Sequence, residues 1–368
     1  MIRKVLLSAA LALALAWLGL GVRTWRARAP RPAPAQGELR GAWHVHTSRS
    51  DGRASLDEVV DAARAAGLQF VVVSDHNALA PEEQGWRRGV LVVEATEAST
   101  RLGHLVAVGV PRALSPAERD GDPLGAIAAL GGEAVLAHPL HPTRPFTGWG
   151  QGRWRGMEIV SNDTSWGEVV EGRAWSRVAL AAAMFPFDGA QAVLALHDSD
   201  ESERRRFDVE VRTVRRDVPG DAGRALLCSA DAHGYPSYRA AFEAFSMHVP
   251  VVPTGDGVAD ARAVSAALLD GRASCVFDGV APAGGIRLAR AADGRGLELR
   301  VSAPDLGRAR FVLLQDGLPV AHRTPAARGG ETIIPFACEG GQCPTGDYRV
   351  EATWDGRPWI FTNPIRIE

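Results

Sequence analysis

Histidines and carboxylates carry the chemistry legible in this sequence. His44-Val45-His46 puts two imidazoles on one side of a strand, because strand side chains alternate with period two. Asp51-Gly52 completes an H-x-H-x4-D-G block, and Asp75-His76, Glu97, His104, His138 and Asp231-Ala232-His233 follow in order. Neutral imidazole and carboxylate are the ligands of zinc, manganese and iron, and no thiolate sits among them, which argues against a closed structural zinc site. Nine donors (His44, His46, Asp51, His76, Glu97, His104, His138, Asp231, His233) exceed the needs of one or two four-coordinate ions. A bridging carboxylate and three divalent ions fit the set. Glu94 competes for the bridge; Glu97 is preferred because it lies nearer the strand end and seven residues before His104.

The elements that must position these groups are short apolar runs alternating with helical stretches. Strands are predicted over 41–46, 70–73, 89–97, 104–110, 134–137, 157–160, 225–229 and 274–277. Ser55-Leu56-Asp57-Glu58 is a capping box for a helix closed by Gly67, and Asp122-Pro123 caps another that ends near Gly131. Helices are also predicted over 166–185, 198–216 and 259–269. Phe70-Val71-Val72-Val73 is apolar throughout, as in a parallel sheet buried on both faces. Repeated strand–helix units without G-x-G-x-x-G or a P-loop suit an α/β barrel better than a dinucleotide-binding sheet. In such barrels active sites form at the carboxyl ends of the strands, where nearly every candidate ligand falls.

The ordered blocks HVHTSRSDG, SDHN, Glu97…His104, AHP and SADAH resemble the PHP (polymerase and histidinol phosphatase) metallohydrolases over roughly residues 39 to 280. The resemblance implies a distorted (β/α)7 barrel and a trinuclear site. It assigns His44, His46, Glu97 and Asp231 to one ion. A second falls to Glu97, His104 and His138, and a third to Asp51, His76 and His233. It also implies hydrolysis by a metal-bridging water, with Glu97 and Asp231 as the bridging or orienting carboxylates. Asp75, beside His76, is a candidate outer orienter, with helix capping as the alternative. Arg49, Arg53, Arg144 and Arg239 lie near the motifs, and surface solvation is the simpler reading for each.

Beyond about Gly284 the pattern becomes alternating strands (297–301, 309–314, 348–354) between Gly, Pro and Asp turns, the signature of a small β-sandwich. Its ending, Pro358 to Ile365, resembles the tail of the CehA/McbA-type branch of the superfamily, which includes proteins acting on carbamate esters. The expected domains are therefore an N-terminal segment 1–28, a linker 29–38, a barrel 39–282 and a sandwich 283–368.

Residues Val5 to Val22 form an unbroken apolar run behind Arg3 and Lys4, long enough for a signal anchor. A single-pass anchor with an extracytoplasmic catalytic domain is the expectation, and a cleaved signal peptide with secretion is the alternative. A net charge of −2 gives no electrostatic basis for a nucleic-acid binder. Of the four cysteines, Cys228 and Cys275 read as buried thiols, and Cys338 and Cys343 as either a disulfide or free thiols. His141 reads as a loop histidine; His197, His248 and His322 match no block. The function expected is metal-dependent ester hydrolysis of a small molecule, phosphate esters first. The rivals are carbamate- or carboxyl-ester hydrolysis at the same ions, and a non-catalytic, metal-stabilised envelope binding protein.

Overall fold

The computed structural model describes residues 2–26, 35–197, 202–217, 223–326, 329–338 and 342–368. The first strands are β1 (Leu39–Val45), β2 (Phe70–Val73), β3 (Gly85–Arg87), β4 (Val90–Thr100), β5 (Gly103–Val108), β6 (Glu133–Leu136), β7 (Gly156–Ser161) and β8 (Ala225–Ala232). Seven of them close a barrel in the order β1-β2-β4-β5-β6-β7-β8, with β8 pairing back onto β1. Neighbours in the barrel run parallel except at β5, which is antiparallel to both β4 and β6. That reversal explains how His104, near the start of its strand, reaches the rim where the other strands end.

β2 and β8 are buried at every position, the pattern of strands covered on both faces. The helices around the barrel are α2 (Leu56–Ala65), α3 (Pro116–Asp120), α4 (Pro123–Ala129), α5 (Asn162–Glu171), α6 (Trp175–Met184), α7 (Gly189–Leu196), α8 (Ser202–Asp217), α9 (Tyr238–Ala244) and α10 (Gly257–Leu269); α1 (Ile2–Arg26) precedes the barrel. Helix α2 starts as its sequence requires. Ser55 accepts from the Glu58 amide while the Glu58 side chain returns to the Ser55 amide, and Leu56, Val59, Val60 and Ala63 face inward. The single helix expected over 166–185 is instead two. α5 ends at Gly172, and Arg173 with φ +53° turns the chain before α6. Helix α7 has no counterpart in the sequence reading.

The remaining strands are β9 (Ser246–Val249), β10 (Ser274–Val276), β11 (Gly284–Arg290), β12 (Gly296–Ala303), β13 (Ala309–Gln315), β14 (Leu318–Arg323), β15 (Gly330–Ala337), β16 (Gly346–Trp354), β17 (Arg357–Thr362) and β18 (Ile365–Ile367). One sheet of the C-terminal sandwich continues from the barrel through β1-β9-β10-β17-β16-β13-β14, while β11-β12-β15 forms the facing sheet. Leu297, Leu299, Phe311, Phe336, Val350 and Trp359 fill the space between them. Cys228 and Cys275 are not thiols: they form a buried disulfide between β8 and β10, and a second disulfide joins Cys338 to Cys343.

Helix α1 carries exposed Leu11, Leu13, Leu15 and Leu18, and Trp17 donates from Nε1 to the Ala183 carbonyl on α6. Among the described residues no helix is long and apolar enough to cross a membrane. Most of the linker expected over 29–38 lies outside the described residues.

Candidate metal centre

Strand ends deliver the donors. β1 brings His44 and, one residue past its end, His46; the turn after β2 brings His76, and β4 brings Glu97. His104 comes from the start of β5, His138 from the turn after β6, and Asp231 and His233 from the end of β8. Asp51 comes from the loop behind β1. The Asp51-Gly52 pair has a steric reason, since a Cβ on Gly52 would lie 2.5 Å from the His46 carbonyl oxygen.

The structure brings all nine together. Glu97 is central: Oε1 lies 2.8 Å from His104 Nδ1 and 3.0 Å from His138 Nε2. Its Oε2 is 3.0 Å from His76 Nδ1 and 3.3 Å from the Nε2 atoms of His44 and His46. Asp231 Oδ1 stands 3.5 Å from His44 Nε2 and 3.3 Å from His46 Nε2. Asp51 reaches His46, His76 and His233 at 3.4–3.5 Å. The donors group as His46-Asp51-His76-His233, His44-His46-Asp231, His76-Glu97-His104 and His138-Asp163-Asp231. This differs from the division implied by the family resemblance: His46, His76 and Asp231 are shared between groups, and Asp163 enters. Glu94 is elsewhere engaged, accepting both Arg49 guanidinium nitrogens (2.9 and 3.2 Å) and the Ala80 amide.

Three residues of the site sit in the left-handed backbone region: His44 (φ +64°), His138 (φ +29°) and Asp231 (φ +38°). Non-glycine residues adopt it at an energetic cost, and its clustering at one site is typical of functional constraint. At His44 it interrupts the strand alternation, since β1 shifts register against both β2 and β8 at this point. Trp43 and His44, adjacent in sequence, consequently reach the same acceptor, Glu158 Oε1, each at 2.7 Å.

Glu158 on β7 is the group that sequence reasoning missed. Fully buried, it accepts from Trp43 Nε1, His44 Nδ1 and, at 2.8 Å, the His138 amide. A lone carboxyl inside the otherwise apolar Met157–Val160 run was its signal. Because a carboxylate can only accept, His44 carries a proton on Nδ1, which leaves Nε2, facing Glu97 and Asp231, as the nitrogen free to take a metal ion in place of a proton. Asp163 also lies just past a strand end, in the first turn of α5 and two residues after β7.

Asp75 neither caps a helix nor touches a ligand histidine. It accepts from the Thr47 amide and hydroxyl (2.7 Å each) and from Ser50 Oγ (2.6 Å), fastening the loop between His46 and Asp51. His141 is buried and lies 3.2 Å from Asp163 Oδ2. Of the arginines, Arg49 pairs with Glu94 and Glu83, Arg144 with Asp163 and Arg239 with Glu243. Arg53 stacks over the Tyr235 ring and makes no ion pair among the described residues.

Charge balance follows from burial. Burial by itself would lower the His44 pKa, but Glu158, Asp231 and Glu97 together raise it well above the usual histidine value. Burial likewise opposes protonation of His46, yet the Asp231 and Glu97 carboxylates beside it raise it to about 9. Burial would raise Glu97, and the surrounding imidazoles hold it well below the ordinary carboxylate range; Asp231 is lowered in the same way. The cluster thus holds ionised carboxylates whose charge is met by protons on imidazoles, a role that a divalent cation can take over.

The residues fit such ions. The Nε2 atoms of His44 and His46 and Nδ1 of His138 are buried without a hydrogen-bond partner among the described residues, although buried polar groups normally have one. The donors are all nitrogen and oxygen, as zinc, manganese and iron prefer.

No family model matches the chain, and no curated protein matches it either. Among solved structures, a two-domain protein from Bacteroides vulgatus containing a predicted PHP-like metal-dependent phosphoesterase overlaps 92% of this chain and 98% of its own. The identity is 13% and the TM-score 0.39. CHIR-AB1 overlaps 23% of this chain at 14% identity and TM-score 0.16, covering 92% of its own length. MHC-like MILL2 overlaps 29% of this chain and 40% of its own at 20% identity and TM-score 0.17. Overlaps this loose carry no inference about function.

Proposed function

We propose that the chain is a metal-dependent ester hydrolase of the PHP type, acting on a small-molecule ester at two or three divalent ions held by His44, His46, Asp51, His76, Glu97, His104, His138, Asp231 and His233. The observation that carries this reading is the pair of buried, partnerless Nε2 atoms of His44 and His46. Both are aimed between two carboxylates, and His44 is fixed in that tautomer by Glu158.

Divalent ions bound there supply activation of water near neutral pH and neutralisation of charge on the ester oxygen. The protein's part is positioning. Glu97 and Asp231 stay ionised and orient the donor imidazoles, Glu158 sets the His44 tautomer, and Asp75 holds the loop that carries Asp51. Arg53, with no carboxylate partner, is the cation available to an anionic substrate at the mouth.

Phosphate esters are the first substrate class. One observation favours carboxyl or carbamate esters instead: Arg49, Arg144 and Arg239 are already spent on carboxylates, leaving little cationic grip for a dianion. On location, two disulfides support an oxidising, extracytoplasmic compartment, with the domain either held by its N-terminal segment or released after cleavage of it.

Full-length protein in detergent, stripped with chelator and resupplied with zinc, manganese or iron, is assayed on p-nitrophenyl phosphate, a phosphodiester and p-nitrophenyl acetate. Hydrolysis that returns with metal and falls at least about 1000-fold in His46→Ala is expected. Metal binding without turnover of any ester leaves the non-catalytic binding protein as the better account.

A further inference from the structure

We infer that the metal cluster shares its mouth with a pocket for a large apolar arm of the substrate, so that the chain selects amphiphilic esters. The inference rests on the hydrolase reading above and specifies what that site takes. A cavity of about 340 Å³ opens beside Asp231 and His233 and runs between α5, α6 and α7. That volume falls within the ~300–1,000 Å³ usual for small-molecule sites. Its walls away from the ligands are Trp166, Val178, Ala181, Phe185, Val193 and Leu196.

The polar groups that do border the cavity are already satisfied. Asn162 donates from Nδ2 to the Ala230 carbonyl at 2.7 Å and accepts from His197 Nε2 at 2.6 Å. His197 Nδ1 in turn accepts from Ser165 Oγ at 2.8 Å. Burial, and Arg177 nearby, lower His197 to about 4, so it is neutral at physiological pH. Asp163 stands at the ligand end, paired with Arg144. No arginine or lysine is among the described residues that line the cavity. Its depth therefore offers nothing to a second phosphate or a sugar and favours hydrocarbon.

Exposure along the cavity points the same way. Of the lining residues, Trp166 (40% exposed), Phe185 (43%) and Tyr235 (75%) leave large apolar surfaces open to water. Contiguous exposed apolar surface on a soluble face commonly marks a binding site. Continuity with Asp231 and His233 fixes the occupant as part of the molecule held at the ions: the ester lies at the donors and its arm extends toward α6.

The test measures dissociation constants of n-alkylphosphonates from methyl to decyl by calorimetry, on the full-length protein with metal and after chelator treatment. Affinity is expected to rise about two- to fourfold per methylene until the pocket is filled. That slope should persist without metal, because protein side chains produce it. Ala181→Trp, which fills the cavity, and Val178→Asp, which charges its wall, should each flatten the slope; two variants guard against one that does not fold. A flat series in the unaltered protein, or an unchanged slope in both variants, overturns the inference. Turnover of p-nitrophenyl esters with no dependence on acyl or alkyl length would sink the pocket and keep the hydrolase. A steep binding series without turnover would keep the pocket and sink the hydrolase.

Discussion

At the scale of single residues, the candidate ligands were legible because metal chemistry restricts the residue types and barrels restrict their positions to strand ends. What the sequence could not show was which carboxyl lies underneath. Glu158 sits in the middle of β7, and its link to His44 depends on a left-handed residue that no alternation rule anticipates. Glu158→Gln keeps the size but places an amide against His44 Nδ1, removing the preference for a lone pair on Nε2. Metal affinity, read by chelator competition, should weaken about 10- to 100-fold while the protein still folds. Unchanged affinity would mean that the tautomer is set by something else. Arg53 and Glu94 show the converse limit, since only the folded chain reveals which charges are already paired.

At the scale of elements, the strand order was readable but strand direction was not. The segments containing Glu97 and His104 look like any two successive strands, and only the two-residue Arg101-Leu102 connection makes them antiparallel. The break between α5 and α6 was hidden because Trp166 to Phe185 keeps helix-forming residues across Gly172. The Cys228–Cys275 disulfide was hidden because its partners are 47 residues apart and meet only through the placement of β8 beside β10. β9 holds a further buried group outside any motif. His248 lies 2.8 Å from Glu38 Oε1 and 3.3 Å from Asp278 Oδ1, with Arg40 3.7 Å from Asp278. Burial would depress His248, but Asp278 and Glu38 raise it to about 9. A histidine pKa raised on folding adds stability that is full below the unfolded value near 6.5 and is lost as pH climbs through about 9. Melting temperature between pH 6 and pH 10 should therefore fall in the unaltered protein by an amount equivalent to roughly 3 kcal/mol, and His248→Gln should abolish that component. Parallel curves for the two proteins would contradict it.

At the scale of the whole molecule, the sandwich expected as a separate unit shares a sheet with the barrel. β17 pairs with β10, β10 with β9 and β9 with β1, the strand that carries His44 and leads into His46. Glu38 reinforces the junction, receiving the Gly285 amide at the start of β11 as well as His248. The change in sequence texture near Gly284 marked where helices stop, and pairing across that point is a long-range property that local pattern does not encode. The C-terminal part thus extends the sheet of the strand that carries His44, and Arg357 of β17 donates to Gln191 on α7, one of the helices that bound the apolar cavity.

The most direct measurement of the central claim is the metal content of the full-length protein, purified near neutral pH and counted by elemental analysis beside His44→Ala. About two to three equivalents of zinc, manganese or iron per chain, with at least one lost in the variant, is the expected result. Less than about one equivalent after metal resupply, or a count that His44→Ala leaves unchanged, would contradict a metal centre at this rim.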